Sequence, residues 1–238
     1  MNSSTQSKIK IIYWSDYACP FCYIGDKYLE SVLEELQLKD KVELEMKAYQ
    51  LDENAPKVPQ MKMEEIYAKK NELSISDARK RIDMISSIGD DDDLNIKFST
   101  VKFTNTLDAH RLTKYIASQG KNVLKFSELL YDAYFTKNLN IADRDILIDI
   151  AEKFGIDKKE TEKLLESNEF IEEVKKDKEM ASGKDVRTIP HYIFNDKYVI
   201  SGWEGKWEYK NILEQILKDK QKSKVIKGKG CGNDNCHF

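Results

Sequence analysis

The residues best suited to chemistry are four cysteines, which fall into two close pairs near opposite ends of the 238-residue chain. Cys19 and Cys22 belong to the motif Cys-Pro-Phe-Cys, and Cys231 and Cys236 enclose four small or polar residues. Thiols this close either exchange disulfides or bind a metal ion, and a cytosolic protein of this length needs no disulfide to hold its core. The surroundings of each pair must decide between these two chemistries.

The first pair lies where a strand passes into a helix. Residues 8–14 are mostly apolar and rich in isoleucine and aromatic side chains, which predicts a short strand. After a polar turn, apolar residues recur at steps of three and four up to about Gln37, which predicts a helix. Alternating apolar and charged residues over 42–51 predict a second strand. These elements form a βαβ unit with Cys19 and Cys22 at its first junction.

That junction determines what the two thiols can do. A cysteine at the first turn of a helix contacts unpaired backbone N–H groups and the positive end of the helix dipole, and both favour the thiolate, so Cys19 is the expected nucleophile. Pro20 suits the first helical position because its missing N–H costs nothing there. Cys22 follows one turn later on the same face, where it can resolve a mixed disulfide. Half of a zinc site and two incidental thiols are the alternatives.

The middle of the chain is predicted to be helical. From 61 to 183 there is no proline, and helical periodicity extends over roughly 120 residues. Glycines at 89, 120 and 155 are expected to end helices. The predicted helices begin at 74 and otherwise cover 106–119, 123–135, 143–154, 158–166 and 168–180.

Strand patterns return after 183. Residues 191–194 and 197–201 predict a hairpin closed by a two-residue turn, Asn195-Asp196. An amphipathic helix is expected over 204–217. The lysine-rich residues 218–230 are expected to form a mobile, solvated linker to the second cysteine pair.

Composition excludes several classes of partner. With 39 Lys+Arg against 42 Asp+Glu, the net charge is −3, which is too small to attract nucleic acid or an anionic membrane. With 34% charged and 40% hydrophobic residues, the chain resembles soluble globular proteins. No apolar run approaches the ~18 residues of a membrane-spanning helix and no signal peptide is evident, so we expect a cytoplasmic protein. The aspartates of 90–93 lack the ligand spacing of a calcium loop and are expected to be solvated.

Several segments resemble DsbA-like proteins of the FrnE type. They are Tyr17-Ala-Cys-Pro-Phe-Cys-Tyr-Ile-Gly25, Asn105-Thr-Leu-Asp-Ala-His-Arg-Leu112 and Thr188-Ile-Pro-His191. The terminal Cys231-Gly-Asn-Asp-Asn-Cys236 is similar to a second cysteine pair that some of these proteins carry. The resemblance spans nearly the whole chain. It implies an α/β, thioredoxin-like fold with a large all-helical insertion domain.

The implied domains have definite boundaries. The thioredoxin-like domain would comprise 1–58, which holds the cysteine motif, and 184–218, which holds the hairpin and the final helix. The helical insertion would occupy 59–183. A flexible tail would follow from 219 to 238.

The resemblance also implies a substrate site. Pro190 would be a cis-proline facing Cys19, and the Ile189 backbone would hold a substrate strand there, with Pro20 and Phe21 beside it. Glutathione-dependent isomerases and transferases of the kappa type and 2-hydroxychromene-2-carboxylate isomerases share part of the pattern. Since those proteins usually carry serine in place of Cys19, the presence of both thiols favours dithiol exchange.

Other candidate residues have two interpretations each. His110 could line the groove above the nucleophile and stabilise a thiolate or small substrate, or it could be a packing histidine bonded to backbone. Asn105 could contact a ligand or cap its helix. His191 follows the expected cis-proline, but it could point away from the cysteines. Trp203 and Trp207 are expected to pack in the core or at its rim.

The second cysteine pair leaves three possibilities open. About eleven linker residues, 220–230, would have a root-mean-square reach of ~18 Å, so the tail could return to Cys19 and Cys22 and relay a disulfide. The pair could instead form a local disulfide or idle thiols. It could also bind zinc, with His237 or with the first pair.

The sequence therefore predicts an enzyme, a DsbA-like protein-disulfide oxidoreductase without metal or cofactor. Cys19 and Cys22 would act on disulfide-containing proteins or small thiols, glutathione included. Nucleic-acid and membrane partners are not expected, and the chain could be a monomer or a homodimer. The alternatives are a glutathione-dependent isomerase or transferase and a zinc-binding redox switch.

Overall fold

One mixed sheet organises the chain. The structure, a computed structural model, describes residues 8–90 and 94–227, with the backbone alone for 90 and 222–227. The strands are β1 (Ile9–Ser15), β2 (Val42–Ala48), β3 (His191–Phe194) and β4 (Tyr198–Ser201). Their order is β2-β1-β3-β4. β1 pairs parallel with β2 and antiparallel with β3, which pairs antiparallel with β4. The predicted α/β class is confirmed.

Helices follow the first strand, fill the long connection between β2 and β3, and close the fold. Within the described ranges they are α1 (Pro20–Glu35), α2 (Met63–Asn71), α3 (Ile75–Asp90), α4 (Leu107–Ser118), α5 (Val123–Tyr131), α6 (Arg144–Lys153), α7 (Lys158–Glu166), α8 (Ile171–Gly183) and α9 (Lys206–Lys227). A π-helical turn, Asp132–Thr136, continues α5. Across the described ranges, none of these helices combines the length and hydropathy that crossing a bilayer requires.

Each face of the sheet is covered. Ile11 and Tyr13 of β1 belong to a large core that includes buried residues of α1 and α9. Ile12 and Trp14, which alternate with them, pack with Ala181 of α8 on the other face. β1 is therefore buried on both faces, which explains why its sequence is a nearly continuous apolar run. Such a strand gives the turn that follows it a fixed position.

Two strand boundaries differ from the prediction. β2 ends at Ala48 rather than at 51, since the Leu51 N–H donates to the Asp16 carboxylate at 2.7 Å instead of continuing the ladder. In the hairpin, Phe194 lies opposite Tyr198, so three residues rather than two separate the strands.

The predicted linker is wrong over most of its length. α9 continues to Lys227, where the prediction ended the helix at 217. The added residues are mostly lysine, glutamine and other residues tolerated in helices, and the sequence contains no glycine or proline until Gly228. Asp219 anchors this part of the helix by accepting hydrogen bonds from Lys197 and Tyr198, both at 2.9 Å. The helix therefore passes the hairpin turn and extends beyond it.

Candidate functional site

Cys19 lies at the N-cap of α1, directly after the turn that follows β1. Its N–H donates to the Asp16 carbonyl at 3.0 Å, and its own carbonyl accepts the Cys22 N–H at 3.1 Å. The backbone of Cys19 is extended, and Pro20 occupies the start of the helix. The strand-to-helix junction predicted from the sequence is therefore present. It places the side chain of Cys19 at the N-terminal, positive end of the α1 dipole, without a side-chain capping hydrogen bond.

The two sulfurs differ in exposure. Both cysteines are free thiols in the structure. Cys19 is 5% exposed and Cys22 is completely buried, so only Cys19 can be reached from outside. Burial raises the pKa of the Cys22 thiol well above its usual value, and the hydrogen bond to Cys19 and the charge of Cys19 raise it further. Cys22 therefore stays protonated where an ordinary cysteine ionises, and Cys19 is the candidate nucleophile of the pair.

The segment before β3 closes the site. The peptide bond between Ile189 and Pro190 is cis. The Cys19 sulfur lies 3.9 Å from the Ile189 carbonyl oxygen, and the Pro190 carbonyl accepts the Gly202 N–H at 2.8 Å. The structure thus brings together two segments separated by 170 residues in the sequence. Backbone groups of Ile189 lie next to the reactive sulfur.

An apolar rim surrounds the exposed edge of Cys19. The ring centroids of Phe21 and Trp203 lie 6.1 Å apart. Phe21 and Ile189 are half-buried, and Trp203 is 42% exposed, whereas Pro20 is buried within the first turn of α1. Phe21, Ile189 and Trp203 can therefore contact a molecule that approaches the sulfur.

His110 lies behind the site rather than on its surface. It is 1% exposed, and its Nε2 lies 3.2 Å from the Asp16 Oδ1. The ring also contacts the ring of Tyr17, with centroids 4.9 Å apart. The burial of His110 and its contact with Tyr17 fit the interpretation as a packing histidine, but its hydrogen-bond partner is a carboxylate rather than the expected backbone group. His110 positions Asp16, whose carbonyl holds the Cys19 N–H.

Asn105 and His191 form hydrogen bonds with residues of neighbouring loops and strands and not with the two cysteines. Asn105 accepts the Leu107 N–H at 2.9 Å, and its amide donates to the Glu53 carbonyl at 2.9 Å. It therefore caps α4 and ties it to the loop after β2. The His191 Nδ1 lies 3.1 Å from the Ser201 hydroxyl oxygen, and burial lowers the pKa of this histidine. A role for either residue in substrate binding stays a prediction.

The sequence interpretation missed Asp26. This residue lies one turn after Cys22 in α1 and is 6% exposed. Tyr192 donates to its Oδ1 at 2.8 Å, and its Oδ2 has no partner among the described residues. Burial raises the pKa of the Asp26 carboxyl to about 7, and the charge of Glu30 raises it while the Tyr192 bond lowers it. The helical period, which places 26 on the buried face with 22, 29 and 33, was the available signal.

A small cavity connects this carboxyl to the gap between α1 and α5. Its volume is about 10 Å³, and Asp26, Glu30, Glu128 and Tyr131 line it. That is room for about one water molecule. Lys27 also lines the cavity and pairs with Glu30 and Glu128, so a water molecule there would lie between the Asp26 carboxyl and an ion-paired rim.

Metal binding receives no support from the described part of the chain. Among the described residues, no three His, Cys, Asp or Glu side chains lie close enough together to hold a metal ion. Cys231, Cys236 and His237 lie outside the described residues, as does most of the 90–93 aspartate run. The zinc alternative that involves the tail therefore stays a prediction.

Comparisons with known proteins agree with this architecture. The sequence model of the DSBA-like thioredoxin domain family matches residues 10–216. The uncharacterized protein YwbO of Bacillus subtilis (strain 168) is 26% identical to this chain over 221 residues, which cover 91% of this chain and 99% of that protein. The match to the family includes both cysteines of the first pair and the Ile189-Pro190 segment.

Solved structures show the same fold. A probable DsbA oxidoreductase from Streptomyces coelicolor superposes with a TM-score of 0.79 at 21% identity, over 97% of this chain and 99% of that chain. A 2-hydroxychromene-2-carboxylate isomerase superposes with a TM-score of 0.69 at 11% identity, over 90% and 98%. At these identities the similarity establishes the thioredoxin-like fold with its helical insertion, and the two names represent different chemistries on that fold.

Proposed function

Because this chain belongs to the DSBA-like thioredoxin domain family, we propose that it is a thiol–disulfide oxidoreductase acting through Cys19 and Cys22. One observation carries the proposal. Cys19, the more exposed of the two cysteines, occupies the N-cap position of α1, the buried and protonated thiol of Cys22 follows one turn later, and the Ile189 carbonyl oxygen lies 3.9 Å from the Cys19 sulfur. This arrangement supports attack by Cys19 and resolution by Cys22.

The exchange proceeds in two balanced steps. The Cys19 thiolate attacks one sulfur of a substrate disulfide, so that a mixed disulfide forms and the second substrate sulfur leaves as a thiolate. Cys22 then loses its proton and attacks the Cys19 sulfur, which releases the first substrate sulfur and leaves a Cys19–Cys22 disulfide. Two electrons have passed from the protein to the substrate. The reverse sequence oxidises a substrate dithiol.

Backbone groups give this chemistry a broad substrate range. The carbonyl of Ile189 faces the site, where an extended substrate strand can pair with it. Phe21 and Trp203 offer apolar contacts that do not depend on one particular side chain. We therefore propose disulfide-containing polypeptides as the principal substrates.

Asp26 can take part in the second step. Cys22 must lose a proton that burial holds on it, and Asp26 lies one helical turn further along the same face. The pKa of this carboxyl is raised to about 7, which suits a group that accepts and returns a proton near neutral pH. The small cavity beside Asp26 gives that proton a route to the surface.

Reduction of insulin by dithiothreitol tests the main proposal. The protein should accelerate insulin precipitation, and Cys19→Ser should return the rate to that of dithiothreitol alone. Cys22→Ser serves as the matched control, because it should still attack and should accumulate a mixed disulfide that mass spectrometry detects. Equal acceleration by Cys19→Ser and the wild type would contradict the proposal. Glutathione-dependent turnover that survives in Cys22→Ser would support the isomerase or transferase alternative instead.

The distance between the end of α9 and Cys19 limits how the second cysteine pair could exchange disulfides with the first. Gly202 bonds to Pro190 at the active-site end, and Asp219 bonds to Lys197 at the hairpin turn, so α9 runs away from the site. That turn lies at the start of β1, about 20 Å from its end, and eight further helical residues add about 12 Å. Cys231 and Cys236 follow Lys227 by four and nine residues, which span at most about 14 Å and about 32 Å. Cys231 therefore cannot return to Cys19 of its own chain, and Cys236 could do so only if those nine residues were fully extended.

We propose that the relay through Cys231 and Cys236 occurs between two molecules while α9 is intact, because within one chain it would require a fully extended tail. Mixing Cys19→Ser protein with a Cys231→Ser, Cys236→Ser double variant should then restore a relay that neither variant supports alone. Mass spectrometry of the oxidised mixture should show a disulfide between chains. A disulfide within one chain at high dilution would contradict this form of the relay.

A further inference from the structure

The loop after β2 exposes apolar side chains. Within residues 51–61, here called the cavity loop, Leu51, Val58 and Met61 are 51%, 70% and 48% exposed. Large apolar side chains clustered on a surface mark binding sites more often than isolated ones do. The cavity loop is therefore a candidate contact surface.

The cavity loop is held in place by side chains of the helical region. Thr104 donates to the Pro56 carbonyl at 3.0 Å, Asn105 to the Glu53 carbonyl at 2.9 Å and Asn140 to the Lys57 carbonyl at 2.9 Å. These bonds use backbone acceptors that an unsupported loop would leave to water. The apolar side chains are thus presented on a fixed backbone, which lowers the entropy cost of binding to them.

A cavity of about 430 Å³ lies between this loop and α2. Its apolar walls are Pro56 and Met61 from the loop, Ile66 from α2 and the ring of Phe103. The volume lies within the range of small-molecule and side-chain pockets. It exceeds what one aliphatic side chain fills, so it can take an apolar side chain together with its neighbour.

The rim of the cavity is positively charged. Asp52, Lys69 and Lys70 line it. The Lys70 ammonium pairs with Asp52 at 2.5 Å and lies 4.4 Å from the centroid of the Phe103 ring. Lys69 makes no ion pair with any residue in the described ranges. The ammonium of Lys69 can therefore pair with a carboxylate of a molecule bound in the cavity.

The cavity loop is connected to the redox site. The Asp16 carboxylate accepts the Leu51 N–H at 2.7 Å, and the Asp16 carbonyl accepts the Cys19 N–H at 3.0 Å. Asp52, the next residue, lines the cavity. A chain that presents a disulfide to Cys19 could therefore continue along the loop to the cavity.

We propose that this cavity is a substrate subsite that takes an apolar side chain with an adjacent carboxylate, both from the polypeptide whose disulfide reacts at Cys19. The inference rests on the proposed function and narrows its substrate class. Pairing of a substrate strand with the Ile189 backbone accepts many sequences, whereas the cavity selects among them. Reduced or unfolded segments with Leu-Glu or Phe-Asp pairs near a cysteine are the preferred occupants.

Peptide disulfides test the subsite directly. Each peptide carries one cysteine in mixed disulfide with glutathione, and either Leu-Glu or Ser-Gln two, four or six residues away on either side. At one spacing or more, the Leu-Glu peptide should have a KM about tenfold lower at unchanged kcat, the scale expected for burying one aliphatic side chain. Met61→Lys should abolish that difference, and Met84→Lys, which replaces an exposed methionine of α3, should preserve it.

The possible results distinguish a failure of the subsite proposal from a failure of the proposed oxidoreductase function. If no peptide is turned over, the proposed oxidoreductase function fails. If all peptides are turned over with equal KM, or if the two lysine variants behave alike, the function stands and the subsite is wrong. If 4-phenylbutyrate binds the wild type but not Met61→Lys while the peptides show no difference, the cavity holds a small carboxylate and the polypeptide subsite is again wrong.

Discussion

Two buried carboxylates, Asp26 and Asp177, have nearly the same exposure and opposite surroundings. Asp26 is 6% exposed and Asp177 is 4% exposed. Asp177 of α8 accepts the Ala48 N–H at 2.8 Å and pairs with the ammonium groups of Lys47 and Lys114. Asp26 accepts one hydrogen bond, and the Lys27 ammonium, which lines the same cavity, pairs with Glu30 and Glu128 rather than with Asp26. Burial alone therefore does not determine what a carboxyl does in this molecule.

The comparison distinguishes Asp177, which holds secondary-structure elements together, from Asp26, which is available for proton transfer. Asp177 connects α8 to β2 and, through its carbonyl, to the Trp14 indole N–H at 2.9 Å. The two ammonium groups compensate the negative charge of this buried carboxylate. Asp26, with no compensating charge, has its pKa raised to about 7 beside Cys22. The uncompensated group lies on the side of the sheet that carries the redox chemistry.

The largest expected effect concerns the pH dependence of stability through Asp26. Its folded pKa of about 7 exceeds the unfolded value of 3.8, so the folded state binds the extra proton between these limits. The free energy of unfolding should therefore fall as pH rises from 4 to 8, by about 4 kcal/mol from this group. Urea unfolding across that range measures it: the difference in the free energy of unfolding between the wild type and Asp26→Asn should change by this amount, since the other titrating groups are common to both proteins.

Asp26→Asn also provides a kinetic test of the difference between Asp26 and Asp177. Asp26→Asn keeps the acceptor for Tyr192 and removes the titration. If Asp26 accepts the Cys22 proton, decay of the mixed disulfide should slow in the variant and lose its dependence on pH near 7. Asp185→Asn, an exposed carboxyl, is the control. Equal slopes of stability in wild type and Asp26→Asn would refute the contrast with Asp177.

A smaller effect is expected from the compensated carboxylate. Asp177→Asn retains the hydrogen bond from Ala48 but leaves Lys47 and Lys114 facing a neutral group. Loss of one member of a buried charge cluster should lower the free energy of unfolding by about 3 kcal/mol. This loss should be nearly constant from pH 6 to 8. Denaturant unfolding measures it, and a loss confined to the pH range near 7 would mean that Asp177 also titrates.

Sequence reasoning succeeded where the signal was local. The spacing of Cys19 and Cys22, their place after a buried strand and the periodicity of α1 determined the redox junction. The length of α9 was misjudged because a lysine-rich composition suits both a solvated linker and a helix, and the contacts of Asp219 with the hairpin decide between them.

Long-range partners explain the other misses. Asp16 was placed in a polar turn, but it is buried because His110, 94 residues away, bonds to it. Asp26 was not among the candidate residues. The hydrogen-bond partner of the buried Asp26 carboxyl is Tyr192, which lies 166 residues later in the sequence. The partners themselves are set by tertiary packing, although the helical period of α1 already places 26 on its buried face.

The smallest expected effect comes from the hydroxyl that contacts Asp26. Tyr192 and Tyr13 stack with ring centroids 5.2 Å apart. The Tyr192 hydroxyl donates to Asp26, and the Tyr13 hydroxyl has no partner among the described residues. Tyr192→Phe should cost about 1 kcal/mol at pH 5, where Asp26 is protonated, and about 2 kcal/mol at pH 8, because a hydrogen bond to a charged acceptor contributes more.

Tyr13→Phe is the matched control, since it removes a buried hydroxyl of the same ring pair without breaking a hydrogen bond. It should leave the free energy of unfolding unchanged or slightly raised at both pH values. Thermal or urea unfolding of the two variants at pH 5 and pH 8 measures the difference. A pH-independent cost for Tyr192→Phe would show that the carboxyl does not change its charge over this range. The contrast with Asp177 would then reduce to one of packing.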